Sequence, residues 1–135
     1  MTAELHHNAV VAALKGDAQL ASVVFEVGEV PTSPAPERYV VVVSTLGDWS
    51  QTRFTGSHDG LLTTHTVYCV GKKAEQARWV GGRVTPRLKD VRLTITGRQA
   101  WRPAPWISRP VTLDTDGLFA LPFGVIQFDL YSEPA

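Results

Sequence analysis

The ten residues from Leu61 to Val70 hold no glycine, no proline and no formal charge. Their β-branched and aromatic side chains fit a pleated surface, so a long strand is predicted here. Tyr39 to Val43 is a second apolar, β-branched run. It lacks polar alternation, which fits a strand covered on both faces or one whose outer face meets a partner. A sheet follows, and 135 residues are the length of one domain with a core of its own.

Two other stretches carry the helical period. Leu5, Ala9, Ala12 and Ala13, widened by Val10 and Leu14, predict a helix over 3–15 with Thr2 as N-cap and Gly16-Asp17 as its stop. Ala77, Val80, Val84 and Leu88, with Ala74 and Trp79 at the edges, predict a second over 72–89. Glu75 in its first turn and Arg87 and Lys89 in its last suit the helix dipole. Gly81-Gly82 and Pro86 interrupt it. Either the helix is kinked and shortened, or the glycines make a small patch that packs closely on a sheet.

Shorter strands are expected at Leu20–Val27, Val91–Thr96, Val111–Leu113 and near 118–131. In the last, Ile126, Phe128 and Leu130 share one face. Pro31, Pro34 and Pro36 mark an extended connection, and Pro103, Pro105 and Pro110 an irregular or edge run. From Leu46 to Thr55, Trp49, Gln51 and Arg53 alternate with Ser50, Thr52 and Phe54, as in a solvent-facing ribbon. The order helix, strands, helix, strands predicts an α+β fold, with a small twisted, largely antiparallel or mixed sheet and two helices on one face.

Composition narrows the function. Thirteen basic and thirteen acidic residues give a formal charge of zero, which does not support nucleic-acid binding driven by bulk charge. One cysteine, Cys69, excludes an intrachain disulfide framework. The first residues lack the basic start and apolar core of a signal peptide, and no run reaches the length of a membrane span. The expectation is a domain made in the cytoplasm, without a membrane partner.

Catalytic and metal motifs fail on spacing. His65 and Cys69 lie about 13 Å apart along one strand face, too far to share an ion or a proton. His65 reads instead as a sheet histidine satisfied by a neighbour. His6 and His7 are adjacent on a helix and expected to diverge. Ser57, His58 and Asp59 have the residue types of a hydrolase triad but sit together in a turn. Gly71-Lys72-Lys73 lacks the rest of a phosphate loop, and Asp114 and Asp116 lack the rest of a calcium loop. No cofactor, no metal and no catalytic residue is expected.

Arg98, Arg102 and Arg109 interleave with Trp101 and Trp106. That set could stack on bases or anchor a protein interface, where Trp and Arg are enriched. Neutral overall charge favours the protein interface. The bland alternative is that both tryptophans cover the core. Trp49, Arg53 and Phe54 on the ribbon form a second candidate interface, with Asp48 and Asp59 as acidic complements.

The strand Thr66 to Gly71, then Glu75-Gln76-Ala77-Arg78-Trp79-Val80 and Arg83-Val84, resembles tail terminator proteins of long-tailed (siphovirus-type) actinobacterial phages. Gly97-Arg98, Ser108 to Val111, the turn Asp114 to Phe119 and the strand Val125 to Tyr131 extend the likeness over residues 61–131. Gly81-Gly82 and Pro86 depart from it. The resemblance implies a single domain over 1–135 with a protruding β-hairpin. It implies a homo-hexameric ring that caps the head-proximal end of the tail tube, stops polymerisation and offers a surface to the head–tail connector. The partners would be other copies of the chain, the tail tube protein and a connector or neck protein, all in the virion. The alternatives are another neck, head–tail connector or minor tail protein and, in a different class, a small enzyme.

Overall fold

The computed structural model describes residues 2–32, 34–50, 60–113 and 121–135. Along the chain come α1 (Thr2–Lys15), β1 (Val24–Glu26), β2 (Arg38–Ser44), β3 (Asp48–Ser50), β4 (Gly60–Gly71), α2 (Ala74–Leu88), β5 (Arg98–Ala100), β6 (Ile107–Thr112) and β7 (Phe123–Pro134). The strands form one mixed, open sheet in the order β1-β2-β4-β7-β5, with β3 also paired to β4 and β6 to β7. Among the described residues only the β1–β2 pair is parallel.

The uncharged run from Leu61 to Val70 is the central strand β4. It pairs with β2 along one edge and with β7 along the other, ten residues deep against β7. Leu61, Thr63, His65, Val67 and Cys69 are buried and alternate with half-buried Leu62, Thr64, Thr66 and Tyr68. The strand's period of two thus divides it into an inner and an outer face. Register places Val40, Val42 and Ser44 of β2, and Gly124, Ile126, Phe128, Leu130 and Ser132 of β7, on the same inner face.

Both helices pack on that face. Val10 and Leu14 of α1 and Val80, Val84 and Leu88 of α2 join Val40, Val42, Val67, Cys69, Ile126, Phe128 and Leu130 in one apolar core. The outer face carries a smaller cluster of Tyr39, Val41 and Val70, flanked by Phe25, Tyr68, Leu121 and Phe123. Tyr39 to Val43 therefore meets apolar groups on both sides, which explains its missing alternation.

The buried stripe of α1 differs from the expected one. His6, Val10 and Leu14 recur every fourth residue and are fully buried, with His7 beside them, while Leu5 and Ala12 face outward. Three expected strands are also revised. Leu20–Val27 shrinks to Val24–Glu26, because Leu20 enters the core from a turn. Val91–Thr96 is not a strand. Leu93 and Ile95 point into the core, and among the described residues the only ladder contact is a bridge from Ile95 to Arg98. The expected Val111–Leu113 strand begins earlier, at Ile107, and contains Pro110, which an edge strand tolerates. The ribbon begins with β3, and its residues 51–59, including Arg53, Phe54, His58 and Asp59, lie outside the described residues. So do Asp114 and Asp116, and residues 118–120 of the last expected strand.

α2 runs from Ala74 to Leu88, slightly shorter than expected, and Gly81-Gly82 do not end it. A Cβ at Gly81 would meet only Cys69 Sγ, at 4.0 Å, and one at Gly82 would meet nothing within 4 Å. Pro86 falls in the last turn, where it withholds an amide donor from the Gly82 carbonyl near the helix end. Gly82 is exposed and its backbone is simply left more free when unfolded. Gly82→Ala is therefore expected to stabilise the protein by about 1 kcal/mol and to raise its melting temperature by a few degrees in a thermal melt. A lower melting temperature would show that the site requires glycine.

Candidate functional site

The inner face of the sheet is apolar under α2 and polar under the start of α1. Thr63 and His65 on β4, Ser44 on β2 and Ser132 on β7 face inward there, and His6 and His7 descend on them from the helix. His6, His65 and Ser132 have no solvent exposure, and Thr63 has 1%. A buried polar group without a partner costs roughly 1–3 kcal/mol, so each of these must be satisfied internally.

They satisfy one another in a single chain of contacts. Arg98 Nε reaches Ser132 Oγ at 2.8 Å, and Ser132 Oγ reaches His6 Nε2 at 2.5 Å. His6 Nδ1 lies 2.8 Å from Thr63 Oγ1, which lies 2.6 Å from His65 Nε2. His65 Nδ1 is 2.8 Å from Ser44 Oγ, and Ser44 Oγ is 2.7 Å from His7 Nδ1. His7 Nε2 ends the chain 2.7 Å from Glu26 Oε1. As expected, His6 and His7 diverge to different partners. Neighbours on a helix point about 100° apart, but both directions here fall on the same sheet, toward β4–β7 and β2–β1.

The two ends determine where the protons sit. A guanidinium only donates and a carboxylate only accepts. With His7 uncharged, its Nε2–H donates to Glu26, so its Nδ1 accepts from the Ser44 hydroxyl. Ser44, its one proton committed, accepts from His65 Nδ1–H. Neutral His65 then accepts at Nε2 from Thr63, which accepts from His6 Nδ1–H. His6 Nε2 accepts from Ser132, and Ser132 accepts from Arg98. Every group in the chain is satisfied, and all the donors point one way.

Burial holds the two inner histidines neutral. The His6 pKa falls to about 4, first through loss of water and then through the nearby Arg98 charge. The His65 pKa falls to about 3, through burial and then the neighbouring His6 and His7. Ser44, His7 and Glu26 contain the residue types of a hydrolytic relay and border an open groove of about 350 Å³. In the chain the Ser44 hydroxyl donates to His7 and accepts from His65, which engages its proton and one of its two lone pairs. Burial pushes the Cys69 thiol up to about 12, which leaves it unreactive. Among the described residues no group of three or more His, Cys, Asp and Glu is arranged to hold a metal ion.

The interface candidates separate into engaged and exposed residues. Trp106 stacks on Phe128 with ring centroids 5.5 Å apart and packs on the core. Arg98 is held by Ser132 and lies 6.0 Å from the Trp49 ring. Trp49 is 51% exposed and Trp101 45%, the latter edge-on to Tyr131. Arg102 and Arg109 are exposed. The structure thus brings Arg98 of one candidate set beside Trp49 of the other. The residues that reading by spacing missed are His6, Thr63, Ser44 and Ser132. Their signal was polar residues at inward positions of strands otherwise apolar on that face.

No protein-family model matches this chain, and no curated protein does. Among solved structures, the chain matches one described as "Virion of native gene transfer agent (GTA) particle". The TM-score is 0.62 at 17% identity, over 93% of this chain and 92% of that chain. The likeness is one of fold, and it spans nearly the whole of both chains.

The polar chain fixes a pH response. An unfolded histidine titrates near 6.5, so above that pH both states are neutral and the full stability is present. Between about 6.5 and the folded values near 4 and 3, the unfolded chain binds protons that folded His6 and His65 refuse. Stability is expected to drop by about 1 kcal/mol per pH unit for each of the two over that window, read by urea melts. In ¹⁵N NMR at pH 8, His6 and His65 should carry their proton on Nδ1 and His7 on Nε2. Flat stability from pH 7 to 4, or His6 and His65 protonated on Nε2 at pH 8, would refute this arrangement.

Proposed function

We propose that this chain is a structural protein of a virion, and specifically a tail terminator. In this reading residues 1–135 are a single domain that forms a homo-hexameric ring at the head-proximal end of a tail tube. The ring stops tube polymerisation and presents a joining surface to a head–tail connector or neck protein. The chain is made in the host cytoplasm and acts by assembly, not by catalysis.

The observation that carries the virion role is the fold shared with a chain of a gene transfer agent virion over nearly the full length of both. The tail-terminator assignment rests on the sequence resemblance over residues 61–131. Trp49, Trp101, Arg102 and Arg109 supply exposed aromatic and cationic groups of the kind that anchor protein interfaces. The histidine chain fits the same role, since its polar groups are consumed in holding α1 to the sheet.

Omitting the protein from tail assembly tests the terminator role. Tubes of uncontrolled length are expected without it, and adding back the purified chain should restore one length as seen by electron microscopy. Tubes of normal length in its absence would end this reading.

A further inference from the structure

The chain has an acidic, apolar groove at one edge of its sheet and a basic, apolar strip at the other. The groove lies where the start of α1 meets β1 and the end of β2. Glu4, Glu26, Val27 and Leu46 line it, and no lysine or arginine does. Leu46 is 91% exposed and Val27 53%, more apolar surface than this corner of the described structure covers. Glu26 is held in place by His7 while its side chain stays half exposed, so the negative charge is fixed in direction.

The opposite edge is β6. From Arg98 to Leu113 the sequence holds three arginines and no acidic residue. Ile107 and Arg109 pair with Gln127 and Val125, which places both on the outer face, and both are exposed. Glu26 pairs with Val42 and so faces the inner side. One edge thus offers inner-face acid with apolar walls, and the other outer-face base with an apolar neighbour. Two such edges can overlap only head to tail, inner lip over outer lip, and not about a two-fold axis.

We propose that the groove at Glu4, Glu26 and Leu46 receives the β6 edge, at Ile107 and Arg109, of a second copy of this chain. The inference rests on the ring reading above and adds to it which surfaces of the subunit meet. Charge complementarity between the two edges selects a second copy over a different virion protein. Glu4 and Glu26 of the groove then serve as acidic complements to the basic stretch.

Charge exchange tests the contact. The wild-type chain and its variants are compared by native mass spectrometry when free, and by occupancy of the ends of tail tubes purified from the parent particle. Glu26→Lys and Arg109→Glu should each weaken association at least ~10-fold, and the combination should regain most of it. Because Glu26→Lys also touches the histidine chain, Glu4→Lys and Leu46→Asp provide exposed variants outside it. Each should weaken association with an unchanged circular dichroism spectrum. Variants that assemble like the wild type, a double variant that is folded but not rescued, or a β6 edge occupied by tube protein or nucleic acid would overturn the inference and leave the ring standing. A wild-type chain that stays monomeric both free and on tube ends would overturn both.

Discussion

The placement of α1 depends on a line of hydrogen bonds rather than on an apolar seam. Val10 and Leu14 reach the core from the second half of the helix, but its first half meets the sheet through His6 and His7. That makes its position all-or-none. A Leu at such a place could slide and still be buried, whereas a histidine shifted by an ångström leaves orphaned groups on both sides. The chain also ties together five strands, from Glu26 on β1 through Ser44 on β2, Thr63 and His65 on β4 and Ser132 on β7 to Arg98 on β5.

In the proposed reading the edges of the sheet, with the groove beside β1, are the working surfaces. The buried polar groups that would ordinarily suggest chemistry are committed to one another, and Cys69 is sealed under α2. Meanwhile β1 ends the open sheet on one side and β5 and β6, both paired to β7, end it on the other, and exposed Trp49, Trp101, Leu46 and Ile107 lie around its margin. Exposed sheet edges invite pairing and are blunted by short strands, proline and charge. β1 has three residues, and β6 carries Pro110, Arg109 and a register shift. Both edges therefore discourage simple strand addition, while side-chain docking remains open to them.

Much of the fold was legible in the sequence. The central strand, both helices and the face on which they pack follow from period and β-branching, because long segments average out local exceptions. Short elements did not. Leu93 and Ile95 alternate like a strand, yet they only plug the core, since alternation reports burial and not pairing. The histidine chain was hidden for a different reason. Each of His6, Ser44, Thr63, His65 and Ser132 is unremarkable alone, and only the register that sets Ser44 beside His65 and Leu61 beside Ser132 brings them together. The small residues of α2 misled in the other direction, because Gly81 and Gly82 suggest a close contact that does not exist.

The most direct test of the account is the symmetry of this chain in the assembled particle. A cryo-EM reconstruction of the head-proximal tail end should resolve six copies of the fold in one closed ring around the tube axis. Copies arranged as two-fold dimers, or density for the chain elsewhere than at that end of the tail, would contradict it.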